Sequence, residues 1–140
     1  MKLLVVGSRS IQNYDLEKYI PDEITMIITG GAEGIDALAE KYADHKRLSK
    51  LILRPQYNIY GRYAPLKRNE KMVELCDVAL IIWDGHSRGT KYTLNYAEKT
   101  GKKVILVIKW ISFGKVRMKK ISKKRKFFSF TYCKIKKVVI

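Results

Sequence analysis

Five short apolar runs, separated by stretches with helical periodicity, constrain this chain more than any other feature. "KLLVV" (2–6), "ITMIIT" (24–29), "KLILR" (50–54), "VALIIW" (78–83) and "KVILVI" (103–108) each read as a strand. Between them lie "YDLEKYI" (14–20), "IDALAEKYADH" (35–45), "PLKRNEKMVELC" (65–76) and "TKYTLNYAEKT" (90–100), which read as helices. In "IDALAEKYADH", Ile35, Leu38, Ala39 and Tyr42 fall on one helical face. Pro65 suits a first helical position. Gly101 suits the C-terminal cap of the last helix, with Lys99, Lys102 and Lys103 near its negative end. Continuous apolar strands alternating with helices imply a parallel sheet covered on both faces. Right-handed crossovers then give an α/β, Rossmann-like, doubly wound fold. The expectation is a mainly parallel five-stranded sheet in a three-layer sandwich.

The 140 residues suit one such domain over 1–108, followed by a different kind of segment over 109–140. That segment holds 12 of the 29 Lys and Arg residues and no Asp or Glu. The net charge of +16 is therefore concentrated in a basic C-terminal extension. Its aromatics and cations suit a nucleic-acid partner, through salt-sensitive backbone contacts and stacking. The same composition suits a passive appendage or a frameshifted end, although "FFSFTY" and "KIKKVVI" are strand-like. No stretch approaches the ~20 apolar residues of a membrane span. "LLVV" is shorter than the roughly 7–15 apolar residues of a signal peptide. No membrane partner is expected, and the cytoplasm is the default compartment. Cys76, Cys133, His45 and His86 are too few for a disulfide framework or a zinc site, so no metal is expected. Cys76 reads as a small buried residue.

A doubly wound sheet places its ligand beyond the carboxyl ends of the strands. Polar and glycine residues cluster there: "GSRS", "GGAEG", "PQYNIYGRY" and "DGHSRGT" follow the first four strands. In "TGGAEGID" (29–36), Gly30, Gly31 and Gly34 let backbone amides approach an anion, and the following helix adds its positive end. A tight turn without a ligand is the alternative. Asp36 either satisfies local amides or meets the ligand. In "SRGT" (87–90), Ser87, Gly89 and Thr90 offer donors and Arg88 a charged fork, or they simply cap a helix. Gly7, Ser8 and Arg9 form a third turn, in which Arg9 reaches for a phosphate or stays in solvent. Arg68 and Asn69 in "KRNE" face the same edge if Leu66, Val73 and Leu75 pack inward. The spacing is not the GxGxxG dinucleotide fingerprint, and no cofactor is expected. No nucleophilic triad is present. Glu33, Glu70 and Asp84 are the carboxylates nearest the ligand edge, and Glu33 and Glu70 are the candidate catalytic acids.

Together, "GSRSI", "ITGGAEGIDALAEKYA", "KRNEKMVELCDVALIIWDG" and "SRGTKYTLNYAEKTGKKV" resemble the YspA-like branch of the SLOG superfamily, over about residues 2–108. That superfamily also includes the LOG-type phosphoribohydrolases and the Rossmann domain of DNA-processing protein A. The resemblance implies binding of a nucleotide or an ADP-ribose-like molecule by a sensor or ligand-handling domain. Related domains often dimerise, so it also implies a homodimer among the partners. LOG-type enzymes pair an arginine, matched here by Arg68, with a glutamate just after a "GGxGT" turn. Here Gly89 and Thr90 are followed by Lys91, Tyr92 and Thr93, with no acid. That departure moves the expectation from cleaving an N-glycosidic bond toward holding the ligand. Hydrolysis and a DNA-binding accessory role are the alternatives.

Overall fold

A computed structural model describes residues 1–109 and the strand backbone of 135–139. The elements run β1 (Lys2–Gly7), β2 (Met26–Thr29), α1 (Ile35–His45), β3 (Ser49–Ile52), α2 (Tyr57–Tyr60), α3 (Ala64–Leu75), β4 (Val78–Trp83), α4 (Arg88–Lys99), β5 (Lys103–Ile108) and β6 (Ile135–Val139). All strand pairs are parallel, in the order β3-β2-β1-β4-β5-β6. The fold is the expected Rossmann-like α/β sandwich, with one strand more than the five read from the sequence. The extra strand lies in the basic extension and pairs Val104 with Ile135 through Ile108 with Val139. The nucleic-acid contacts expected of that extension fall mainly on residues 110–134, outside the described residues.

Side-chain alternation along the central strands builds the two cores. Leu3, Val5, Leu80 and Ile82 point to one face, against Ile35, Ala39 and Ala43 of α1. Leu4, Val6, Ala79 and Ile81 point to the other, against Met72 and Val73 of α3 and Leu94 and Ala97 of α4. A period of two on a strand buried on both faces requires the continuous apolar runs seen in the sequence. Each fully buried Leu or Ile contributes about 1.5–3 kcal/mol. Cys76 joins the second core and is buried.

Two expectations needed correction. "YDLEKYI" forms only a 3-10 turn at Glu17–Tyr19, although Leu16 and Ile20 on either side are buried in the first core. Pro21 and the short run leave too few residues to propagate an α-helix. Conversely, "YNIY", read as loop, forms the single turn α2, which leads through a 3-10 turn at Gly61–Tyr63 into α3.

Candidate functional site

Strand order reverses between β1 and β4, the topological switch point of the sheet. A cavity of about 360 Å³ opens there. Val6 and Gly7 at the end of β1 form its floor, with Asp84 just beyond β4. Its walls come from the loop after β1 (Arg9, Ser10), the turn after β2 and the start of α1 (Ala32, Asp36), α3 (Arg68, Asn69, Met72), and α4 with its N-cap (Ser87, Gly89, Thr90, Thr93).

Glycine brings these segments together. A Cβ at position 7 would lie 2.5 Å from Ile35 Cγ1 and from the Ile82 carbonyl oxygen, so Gly7 lets α1 close onto the sheet. Gly34 has φ +77°, and a Cβ there would lie 2.8 Å from the backbone of Ser8 and Arg9. The turns after β1 and β2 therefore touch backbone to backbone.

The glycine turn after β2 already holds a carboxyl group of its own. The amides of Gly30 and Ala32 donate to Asp36 Oδ2 at 3.1 and 3.3 Å. Burial pushes the Asp36 carboxyl above its ordinary value, against the lowering effect of the Ala32 amide, Arg68 and the Gly30 amide. Arg68 then closes the turn from α3. Its Nη1 donates to the Gly30 carbonyl at 2.7 Å, and its Nε donates to Asn69 Oδ1 at 2.9 Å. Burial pulls the Arg68 guanidinium down, Asp36 opposes this, and the positive charges of Arg9 and Arg54 add to it. Arg54 Nη1 donates to the next carbonyl, Gly31, at 3.1 Å.

A second carboxylate organises the turn after β4. Asp84 Oδ2 accepts from Ser10 Oγ at 2.7 Å, and Oδ1 accepts the amides of His86 and Ser87, each at 2.8 Å. The Asp84 amide donates to Ser8 Oγ at 3.0 Å. Burial would raise this carboxyl, but these bonds outweigh it and hold its pKa at about 2. Ser87 caps α4, its Oγ accepting from the Thr90 amide at 3.4 Å. The helix ladder cannot pair the first-turn amides of Arg88 and Gly89. Gly89 faces open space on the cavity side.

Of the residues singled out from the sequence, the structure brings Gly7, Arg9, Asp36, Arg68, Asn69, Asp84, Ser87, Gly89 and Thr90 to one cavity. Ser8 supports it from behind. Gly30, Gly31 and Gly34 shape its wall without lining it, and the Arg88 side chain is exposed outside it. Glu33 is exposed on the turn. Glu70 lines a neighbouring cavity, where the Tyr92 hydroxyl and Lys67 hold its carboxyl below the ordinary range. Neither glutamate lines the switch-point cavity. Arg54 escaped the sequence reading, which placed it within a strand, and Ser10 entered that reading only as part of the polar run "GSRS".

No protein-family model, curated protein or solved structure matches this chain. Among the described residues no helix is long and apolar enough to cross a membrane.

Proposed function

We propose that the switch-point cavity binds a phosphorylated, nucleotide-derived ligand, and that the domain acts as a sensor or ligand-handling protein. The observation that carries this reading is the placement of Arg68. Its half-buried guanidinium is fixed to a backbone carbonyl and to Asn69 on the wall of the cavity. Preorganised in this way, the fork loses little freedom on meeting a phosphate. Arg9 supplies a second positive charge, and the first-turn amides of α4 supply neutral donors. Asn69 and Ser10 add polar contacts, and the two carboxylates suit sugar hydroxyls. The volume falls within the range of small-ligand sites, about 300–1,000 Å³.

Thermal shift with nucleoside monophosphates and ADP-ribose tests this reading. Ligand at about a hundred times its Kd stabilises the folded protein by about 2.7 kcal/mol. Arg9→Ala, on an exposed side chain, leaves the melting temperature of the free protein unchanged and diminishes the ligand shift. No shift with any of these compounds would sink the proposal.

A second reading rests on a different observation. Asp36 and Asp84 line one cavity, with their carboxyls pushed in opposite directions. Such divergence is the pattern of an acid paired with an ionised carboxylate in glycosidic cleavage. In that reading Asp36 protonates the leaving base, Asp84 stabilises the cationic sugar, and water adds to the anomeric carbon and gives up the proton that restores Asp36. Release of free base from nucleoside monophosphates, abolished in Asp36→Asn, tests it.

A further inference from the structure

A second cavity of about 570 Å³ lies beside the first, between the segment after β3 and the outer face of α3. Arg68 lines both. Two features of this neighbouring cavity remain unexplained by a ligand confined to the first.

Its charge is unbalanced. On α3, Lys67 pairs with Glu70 at 3.0 Å and Lys71 with Glu74 at 3.7 Å. Arg54 and Arg68 also line this space, and Arg54 donates to a neutral carbonyl. Their two anchoring carbonyls belong to the consecutive residues Gly30 and Gly31, which brings both guanidinium groups to one turn. Arg9 adds its charge from the other side, and Asp36 is the carboxylate that opposes them. Like charges held this close favour an anion between them.

Its rim carries one exposed aromatic ring, that of Tyr60. The large apolar side chains exposed among the described residues are Leu51, Tyr57, Ile59, Tyr60 and Tyr63, all within one stretch of chain. Exposed apolar groups gathered in one place mark a binding surface more often than scattered ones do. Tyr60 lines the cavity itself while remaining 44 % exposed, so its ring is available to a partner. The short α2 and the 3-10 turn after it serve the fold little, since neither contributes a buried residue.

We propose that this neighbouring cavity is a second subsite, which takes the distal nucleoside of a dinucleotide. The proposal rests on the nucleotide reading of the first cavity. One nucleoside occupies the switch-point cavity, the bridging phosphates lie across Arg68 and Arg54, and the distal base stacks on Tyr60. Stacking of a base on an aromatic side chain is sequence-tolerant and contributes enough to read as roughly tenfold in affinity.

Calorimetric titration of the full chain with three compounds tests this: adenosine monophosphate, adenosine diphosphate and a pyrophosphate-linked adenosine dinucleotide. The diphosphate separates the second phosphate from the second ring. The dinucleotide binds about tenfold tighter than the diphosphate. Tyr60→Ala removes that gain and leaves monophosphate affinity unchanged, while Tyr60→Trp retains the gain. Arg54→Gln weakens diphosphate and dinucleotide but spares the monophosphate. A dinucleotide that binds no tighter than the diphosphate, with the monophosphate still bound, overturns the second subsite alone. Failure of all three to bind overturns the first-cavity reading and this one with it. If Tyr60→Ala changes no affinity but shifts sedimentation from dimer to monomer, the rim at Tyr60 is a face between copies of the chain and the proposal falls.

Discussion

Arg68 Nη1 donates to the carbonyl of Gly30 at 2.7 Å and so ties α3 to the turn that ends β2. The bond spans 38 positions of sequence and joins two layers of the sandwich at the cavity wall. It is possible only because residue 30 lacks a side chain.

Gly30→Ala therefore tests the link. A Cβ there would lie 2.6 Å from Arg68 Nη1 and 3.0 Å from Asp36 Oδ2. The added methyl displaces the guanidinium and breaks its bond to the carbonyl, a loss expected to cost about 1–3 kcal/mol. Gly89 offers the contrast, since its Cβ would meet nothing within 4 Å in the first turn of α4. Gly89→Ala is expected to gain roughly 0.4–1 kcal/mol by restricting the unfolded chain. Urea denaturation of both variants measures the difference. Shifts of the same sign and size would remove the steric account of Gly30.

Asp84 gives the protein a dependence on acid. Its folded pKa of about 2 lies below the ordinary carboxylate value of about 3.9. A lowered pKa contributes stability that is fully present above the unfolded value. That contribution is lost as pH falls from about 4 toward the folded value. Asp84→Asn is expected to lose about 2 kcal/mol at neutral pH and to flatten this acid limb. Denaturation midpoints of both proteins at neutral pH and at about pH 3 check this. Parallel curves would assign the limb to other carboxylates.

The layers and the ligand edge were legible in the sequence because both follow from period and order. "LLVV" (3–6) and "VALIIW" have no polar position, so a sheet covered on both faces accommodates them. The site was legible by place but not by partner. "TGGAEGID" shows three glycines and an acid, yet not that the amides of Gly30 and Ala32 turn onto Asp36. That depends on the depth at which α1 seats, which Gly7 and Gly34 set through contacts far along the chain. Lys102 illustrates the same limit. Near Gly101 it reads as a cation for the end of α4. In the structure its Nζ reaches the carbonyls of Cys76 and Glu74, at 2.7 and 3.2 Å, and so closes the end of α3.

That cap makes a prediction of its own. The carbonyls at a helix C-terminus lack intrahelical partners, and a cation there also meets the negative end of the dipole. Lys102→Met keeps most of the apolar stem and removes the donor. The expected loss is about 1 kcal/mol, weakened further by salt in the wild type but not in the variant. Melting temperatures at low and high ionic strength decide this. A salt-independent loss would point to packing of the stem instead.

Asp36 is expected to respond to pH with the sign opposite to Asp84. Burial raises its pKa, so the folded protein holds this proton more tightly than the unfolded chain does. Stability then falls as pH rises from the ordinary carboxylate value through the folded one, and the full cost of the buried charge is present above it. Asp36→Asn carries no charge at any pH, and its amide oxygen still accepts from Gly30 and Ala32. The stability advantage of wild type over Asp36→Asn should therefore shrink as pH rises from about 4. Urea midpoints of the two proteins across that range measure the difference directly. An advantage that grows with pH would mean that Arg68 and the two amides outweigh burial, and that the carboxylate is a preferred anion of this turn. In that case Asp36 would stay ionised in the cavity, and its role as the acid of a glycosidic cleavage would be lost.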